Sequence, residues 1–140
     1  VASIFTMIIN GDIPGRFVWQ DDRAVAFLTI VPLRPGHTLV VPRDEIEQWI
    51  DLDPDLLAHL TGVSQAIGKA IDAAFQPEKV GMIIAGLEVP HVHLHVMPID
   101  AVRDLDFANA DTDPSPDSLD DAAARIRAEL RTLGYEQVVD

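Results

Sequence analysis

The segment His91-Val92-His93-Leu94-His95-Val96-Met97 alternates histidine with apolar residues without interruption. A period of two belongs to a β-strand, so the run requires a sheet. The imidazoles lie on one face of it and Val92, Leu94 and Val96 on the other. The apolar face calls for a core, and the histidine face is left for chemistry. Of the five histidines in the chain, three are gathered here.

Imidazole titrates near pH 6.5, so at neutral pH it serves as nucleophile, as proton donor after a small shift, or as metal ligand. Same-face neighbours on a strand stand roughly 6.5 to 7 Å apart, which lets adjacent rings act on one atom or share one ion. One chemistry is attack on an electrophilic phosphorus, with a covalent intermediate opened by water and a second histidine protonating the departing group. Another is zinc, held by a closed tetrahedral set or by three ligands and a water. A third possibility is a polar strand face without a task, which three histidines in register disfavour.

The chain has no cysteine, which rules out thiolate zinc sites. His59 falls in a helical stretch and reads as a helix residue rather than a ligand. His37 follows Pro35-Gly36 and opens the β-branched run Thr38-Leu39-Val40-Val41. It is either a plain turn residue or a neighbour that orients a catalytic ring through its second nitrogen.

Around these residues the pattern predicts a hairpin of 17–20 and 24–28, split by Asp21-Asp22, and a third strand over 38–41. Asp53-Pro54 is an N-cap followed by proline. The apolar face of Leu56, Leu57, Leu60, Val63, Ile67, Ala70, Ile71 and Ala74 then continues a long helix until Pro77. Residues 80–85 and 91–97 pair through Gly86-Leu87-Glu88. Beyond Pro98, the Asp-, Pro- and Ser-rich stretch 109–118 reads as loop. Leu119, Ala123, Ile126, Leu130 and Leu133 then mark a helix stopped by Gly134. The expected class is α+β with a five-stranded antiparallel sheet, one long helix and a C-terminal extension helix. Residues 1–100 form the core, and 101–140 add an acidic loop and helix to the same single domain.

The chain resembles the histidine triad (HIT) family of nucleotide-binding hydrolases and transferases. The likeness rests on His91 to Met97, which satisfy a His-φ-His-φ-His-φ-φ pattern with φ apolar, and on three upstream blocks: 4–14, 21–28 and 35–42. It implies a nucleotidyl-transfer role for His93 as nucleophile and contact of His95 with the phosphate and bridging oxygen. His91 would then be a structural member, and His37 a support from behind. It also implies a nucleobase cleft lined by Ile4, Phe5, Ile8, Phe27 and Ile30, although Ile8 and Phe27 read equally well as core. The implied substrate carries a nucleoside 5′-phosphoryl group, purine by preference, with phosphoramidate or acyl-nucleotide leaving groups ahead of dinucleoside polyphosphates. A homodimer joined through the sheet and long helix follows from the same likeness. A binding or scaffold protein with little turnover is the competing class.

Three departures from the family pattern stand out. Thr29 stands where many members carry an aspartate for the ribose hydroxyls, and a hydroxyl cannot bind two hydroxyls as a carboxylate does. The segment before the triad supplies no asparagine or glutamine, and Glu88 replaces a Ser or Thr donor. Its carboxylate cannot donate, but could meet a cationic leaving amine. Ser3 and Thr6 occupy the places of a Cys-x-x-Cys, so neither a structural metal nor any cofactor is expected.

The net charge of −13 argues against polymeric nucleic acid and anionic membranes as partners. It does not bar a phosphate, because exposed charge is screened beyond about 8 Å and local donors decide. No apolar run reaches membrane-spanning length, and no basic and apolar leader opens the sequence. A cytoplasmic location is therefore expected.

Overall fold

The computed structural model describes all residues, Val1–Asp140. Its five-stranded sheet runs in the order β1-β2-β3-β5-β4, and every neighbouring pair is antiparallel. The strands are β1 (Phe17–Gln20), β2 (Ala24–Leu28), β3 (Thr38–Pro42), β4 (Lys79–Ile84) and β5 (Leu94–Ile99). The β1–β2 turn is held by Asp21, whose carboxylate accepts from the backbone of Arg23 and Ala24, each at 2.8 Å, and from Trp19 Nε1 at 2.8 Å. His59 reaches the same carboxylate at 2.9 Å, which gives it the structural place expected of a helix residue.

Alternation along the strands divides the apolar side chains between two clusters. Ala24, Ala26, Leu28, Val40, Leu94 and Val96 face the larger core. Val25, Phe27, Leu39 and Val41 form a second cluster on the other face with Phe5. The larger core is covered by α2 (Pro54–Phe75) and α3 (Pro116–Thr132). The second lies under a short helix, α1 (Ile4–Ile9). Helix α2 begins as expected, with Asp53 capping the Asp55 N–H and Pro54 in the first turn. It ends at Gln76 in a left-handed conformation directly before Pro77.

Two expected boundaries are corrected. The predicted strand over 91–97 is β5 over Leu94–Ile99, so His91 and His93 precede it. Pro90 has no N–H, and the Val92 N–H goes to the Ile46 carbonyl at 2.8 Å rather than into the ladder. The predicted loop over 109–118 ends early, because the Ser115 hydroxyl caps Ser118 and Pro116 occupies the first turn of α3. Between β5 and α3 the chain makes two short 3-10 turns, Val102–Leu105 and Phe107–Asn109. No helix is long and apolar enough to cross a membrane.

The two outer strands differ. The C-terminal segment lies along β1, where Gln20 N–H donates to Gln137 O at 3.0 Å and Val139 N–H to Val18 O at 3.4 Å. On the opposite side β4 pairs only with β5.

Candidate active site

A cleft of about 480 Å³ opens over the second cluster, between α1, the β3 and β5 strands and the 102–112 segment. Every site residue predicted from the sequence lines it except His91: His93, His95, His37, Ile4, Phe5, Ile8, Phe27, Thr29, Ile30 and Glu88. Ile4 and Ile30 are exposed, whereas Phe5 and Phe27 are buried and meet edge to face at 5.6 Å. His91 lies behind the cleft, fully buried.

Backbone groups fix which nitrogen of each ring carries a proton, because an N–H can only donate and a carbonyl can only accept. Gly36, with φ +97°, turns the chain so that His37 faces inward; a Cβ there would stand 2.6 Å from Phe75 Cε2. The Leu33 N–H donates to His37 Nδ1 at 2.9 Å, so the proton of neutral His37 is on Nε2. From there it is donated to His95 Nδ1, also at 2.9 Å. Neutral His95 therefore presents Nε2–H as a donor on its free side.

His93 has the opposite arrangement. Its Nδ1–H donates to the His91 carbonyl at 2.8 Å, which leaves the Nε2 of the neutral ring with an unshared pair. His91 is fixed in turn by donating Nε2–H to the Pro42 carbonyl at 2.8 Å and accepting at Nδ1 from the Ser3 hydroxyl at 2.7 Å. One ring thus offers a lone pair and its neighbour a hydrogen, with centroids 4.8 Å apart.

Burial favours the neutral form of His37, His95 and His91. Burial, followed by repulsion from His95 and His93, pushes the His37 pKa down to about 3. Burial, with a smaller contribution from His93, brings His95 to about 4. Phe107 supplies part of that cover, edge-on at 5.0 Å. Burial also lowers His91, against the pull of the Pro42 carbonyl and Glu45.

Ser3 and Thr6, at the places where the resemblance noted from the sequence implies a Cys-x-x-Cys in some proteins, form a hydrogen-bonded group with Glu45. Glu45 accepts from the Ser3 N–H at 2.6 Å and from the Thr6 hydroxyl at 2.7 Å, and these two donors hold its carboxyl below the usual range. Ser3 also caps α1 through the Thr6 N–H. The group ties α1, which carries Ile4, Phe5 and Ile8, to the ring behind the cleft. Glu45 escaped sequence reasoning because nothing nearby marks it. The Ser3-x-x-Thr6 cap ahead of an apolar run was the available signal for α1. Phe107, Ala110 and Thr112 also line the cleft, and they lie in a stretch that reads only as acidic loop.

Glu88, His93 and His95 offer ligand atoms within 4.8 Å of one another, the one group here with a metal-like arrangement. Ligation by His95 Nε2 would require its proton to move to Nδ1, where His37 already donates. His37 cannot yield, because the Leu33 N–H occupies its other nitrogen. Two donors remain, fewer than the three protein ligands of an open zinc site.

Thr29 brings a hydroxyl to the cleft, and its Oγ1 already accepts from the Val31 N–H at 3.2 Å. It keeps one hydrogen and one lone pair for a ligand.

The same architecture occurs in known proteins. An uncharacterised HIT-like protein of Methanocaldococcus jannaschii is 37% identical over 99 residues, covering 68% of this chain and 77% of that protein. The crystal structure of a zinc-bound histidine triad family protein from Mycobacterium smegmatis superposes with a TM-score of 0.81 at 28% identity, over 94% of this chain and 95% of the other. A HIT family hydrolase from Legionella pneumophila matches with a TM-score of 0.59 at 28% identity, over 69% of this chain and 91% of the other. The family profile described as HIT domain matches residues 10–102, and with the paired histidines in their cleft this makes the chain a member of the HIT domain family.

Proposed function

We propose that the protein cleaves a nucleoside 5′-phosphoryl bond by transferring the nucleotidyl group to His93 and then to water. The observation that carries this reading is the His93 ring, whose Nδ1–H is tied to the His91 carbonyl while Nε2 meets the cleft with a free pair. Attack forms the bond from phosphorus to Nε2. The bond to the leaving atom breaks with its electron pair going to that atom, which takes a proton from solvent at the cleft mouth. The charge gained by the His93 ring is met by the His91 carbonyl already bonded to Nδ1–H. Water then attacks phosphorus, the bond to Nε2 breaks with its electron pair returning to the ring, and the proton lost by the water passes to solvent.

His95 Nε2–H serves as a hydrogen-bond donor to the oxygen or nitrogen on which charge develops. Its connection to His37 and Leu33 keeps it neutral and correctly turned. Ile4, Phe5, Ile8, Phe27 and Ile30 receive the base, for which the apolar slot suits a purine, and Thr29 stands at the sugar. Phosphoramidates are the favoured substrates. We further assign a homodimer, with the free outer edge of β4 and the adjoining face of α2 as the joining surface. There Met82 is half exposed, and Gln65, Lys69 and Val80 border an open groove.

The competing reading, binding with little turnover, draws support from Thr29, whose hydroxyl is partly engaged. Single-turnover reaction with radiolabelled nucleoside phosphoramidates and dinucleoside polyphosphates separates the two. Label on wild-type protein and none on folded His93→Ala is the expected result. No label and no His93-dependent product with any substrate would refute nucleotidyl transfer and leave binding.

A further inference from the structure

The charges around the cleft point to a restriction on what may leave the phosphorus. Arg16 is the only lysine or arginine among the lining residues, and its guanidinium is already held by Asp120 at 2.7 Å. The only carboxylate is Glu88, within 4.8 Å of the ring nitrogens of both His93 and His95. It is exposed and has no ion-pair partner, in a chain whose net charge is −13. Its place is fixed by the chain on either side. Gly86 takes φ +81°, Val89 packs against the Phe5 cluster, and the His91 N–H returns to the Val89 carbonyl at 2.8 Å.

We infer that Glu88 selects substrates whose leaving group carries a positive charge, and that it rejects those whose leaving group is a further phosphate or carboxylate. The inference rests on the nucleotidyl-transfer reading above and narrows it to the class of nucleoside phosphoramidates of diamines and other amines bearing a distal cation. The reasoning is electrostatic. One anionic phosphoryl group beside Glu88 is repelled by it, and no free cation in the cleft offsets the repulsion. An ammonium group carried by the leaving amine supplies that offset within the substrate itself. A polyphosphate tail would instead add negative charge beside the same carboxylate.

Glu88 is solvent-exposed, so the effect is modest and salt-sensitive. Opposite charges a few ångströms apart at a protein surface are expected to favour the cationic substrate by about two- to fivefold, with a comparable penalty for an anionic one. Screening should shrink both as salt is raised.

The test is kcat/KM on three adenosine 5′-phosphoramidates whose amine is 4-aminobutyl, pentyl or 4-carboxybutyl, at low and high salt. Wild type, Glu88→Gln and Glu88→Lys are compared, and all three proteins are checked for folding. Support is an order aminobutyl over pentyl over carboxybutyl in wild type, a ratio near one in Glu88→Gln, and a reversed order in Glu88→Lys. Equal rates in wild type, or a preference that survives in Glu88→Gln, overturn the charge selection while leaving nucleotidyl transfer standing. Failure of all three substrates to be cleaved or to label His93 overturns both.

Discussion

Lowering the pH from 7 to 5 should destabilise the fold, and the buried imidazoles set the amount. In the unfolded chain His37 and His95 titrate near 6.5, so at pH 5 both are almost fully protonated. In the native protein their pKa values lie at about 3 and about 4, so both stay neutral. The unfolded state therefore binds more protons, and stability falls as pH falls. It is fully present above about 6.5, declines below that, and continues to decline until about 4 for His95 and about 3 for His37. At a slope of about 1.4 kcal/mol per pH unit, each ring costs about 2 kcal/mol at pH 5, or about 4 kcal/mol together. His91, lowered by the same burial, acts in the same direction. Relief of self-repulsion in a chain of net charge −13 opposes the trend. Asp21, Asp100, Asp104, Asp140 and Glu45 are all held below their ordinary values, so the stability they contribute is intact down to about pH 5 and is lost only below it. Urea denaturation at pH 7, 6 and 5 and constant ionic strength measures the loss. His37→Gln should reduce it by about 2 kcal/mol over the same range. A total change under about 1 kcal/mol, or an unaltered slope in the variant, would refute the account of neutral, backbone-anchored rings.

Other substitutions probe the supports of the site. Gly36→Ala places a Cβ against Phe75 at a left-handed φ and should cost about 2 to 4 kcal/mol by denaturant unfolding; a loss below about 1 kcal/mol would contradict it. Ser3→Ala removes both the α1 cap and the donor to His91 Nδ1, for about 2 to 3 kcal/mol in stability and about tenfold in kcat. Ser3→Thr, which keeps the hydroxyl, should restore both, and failure of that rescue would count against the hydroxyl as the cause. Thr29→Asp retains an acceptor for the Val31 N–H and adds a second oxygen. It should raise the preference for ribo- over 2′-deoxyribonucleotides by about tenfold in kcat/KM. An unchanged preference would remove Thr29 from the sugar site.

Much of the fold could be read because local and global signals agreed. The Asp21-Asp22 hairpin, the Asp53-Pro54 start of α2 and the alternation around Leu94 and Val96 each follow from residue chemistry that tertiary packing reinforces. The exceptions have particular causes. Residues 4–9 are almost uniformly apolar, and six residues are too few for a period to distinguish helix from strand. The Pro-rich composition of 109–118 obscured a cap and first-turn proline at Ser115-Pro116. At the site, the histidines, Thr29 and Glu88 were visible by position, but their proton arrangement was not. It depends on Leu33, Pro42 and the His91 carbonyl, backbone groups that no side-chain pattern reveals. Phe107 reaches His95 only because the chain returns across the cleft after β5.

The unequal edges of the sheet bear on how copies of the protein could aggregate. Residues 137–139 occupy the hydrogen-bonding groups of β1, so that border offers no template to another strand. The border at β4 is open, and two molecules joined there back to back would each use up the only border they have. Growth by strand addition therefore terminates after a single event, and a sheet that invites one companion gives no purchase to a third.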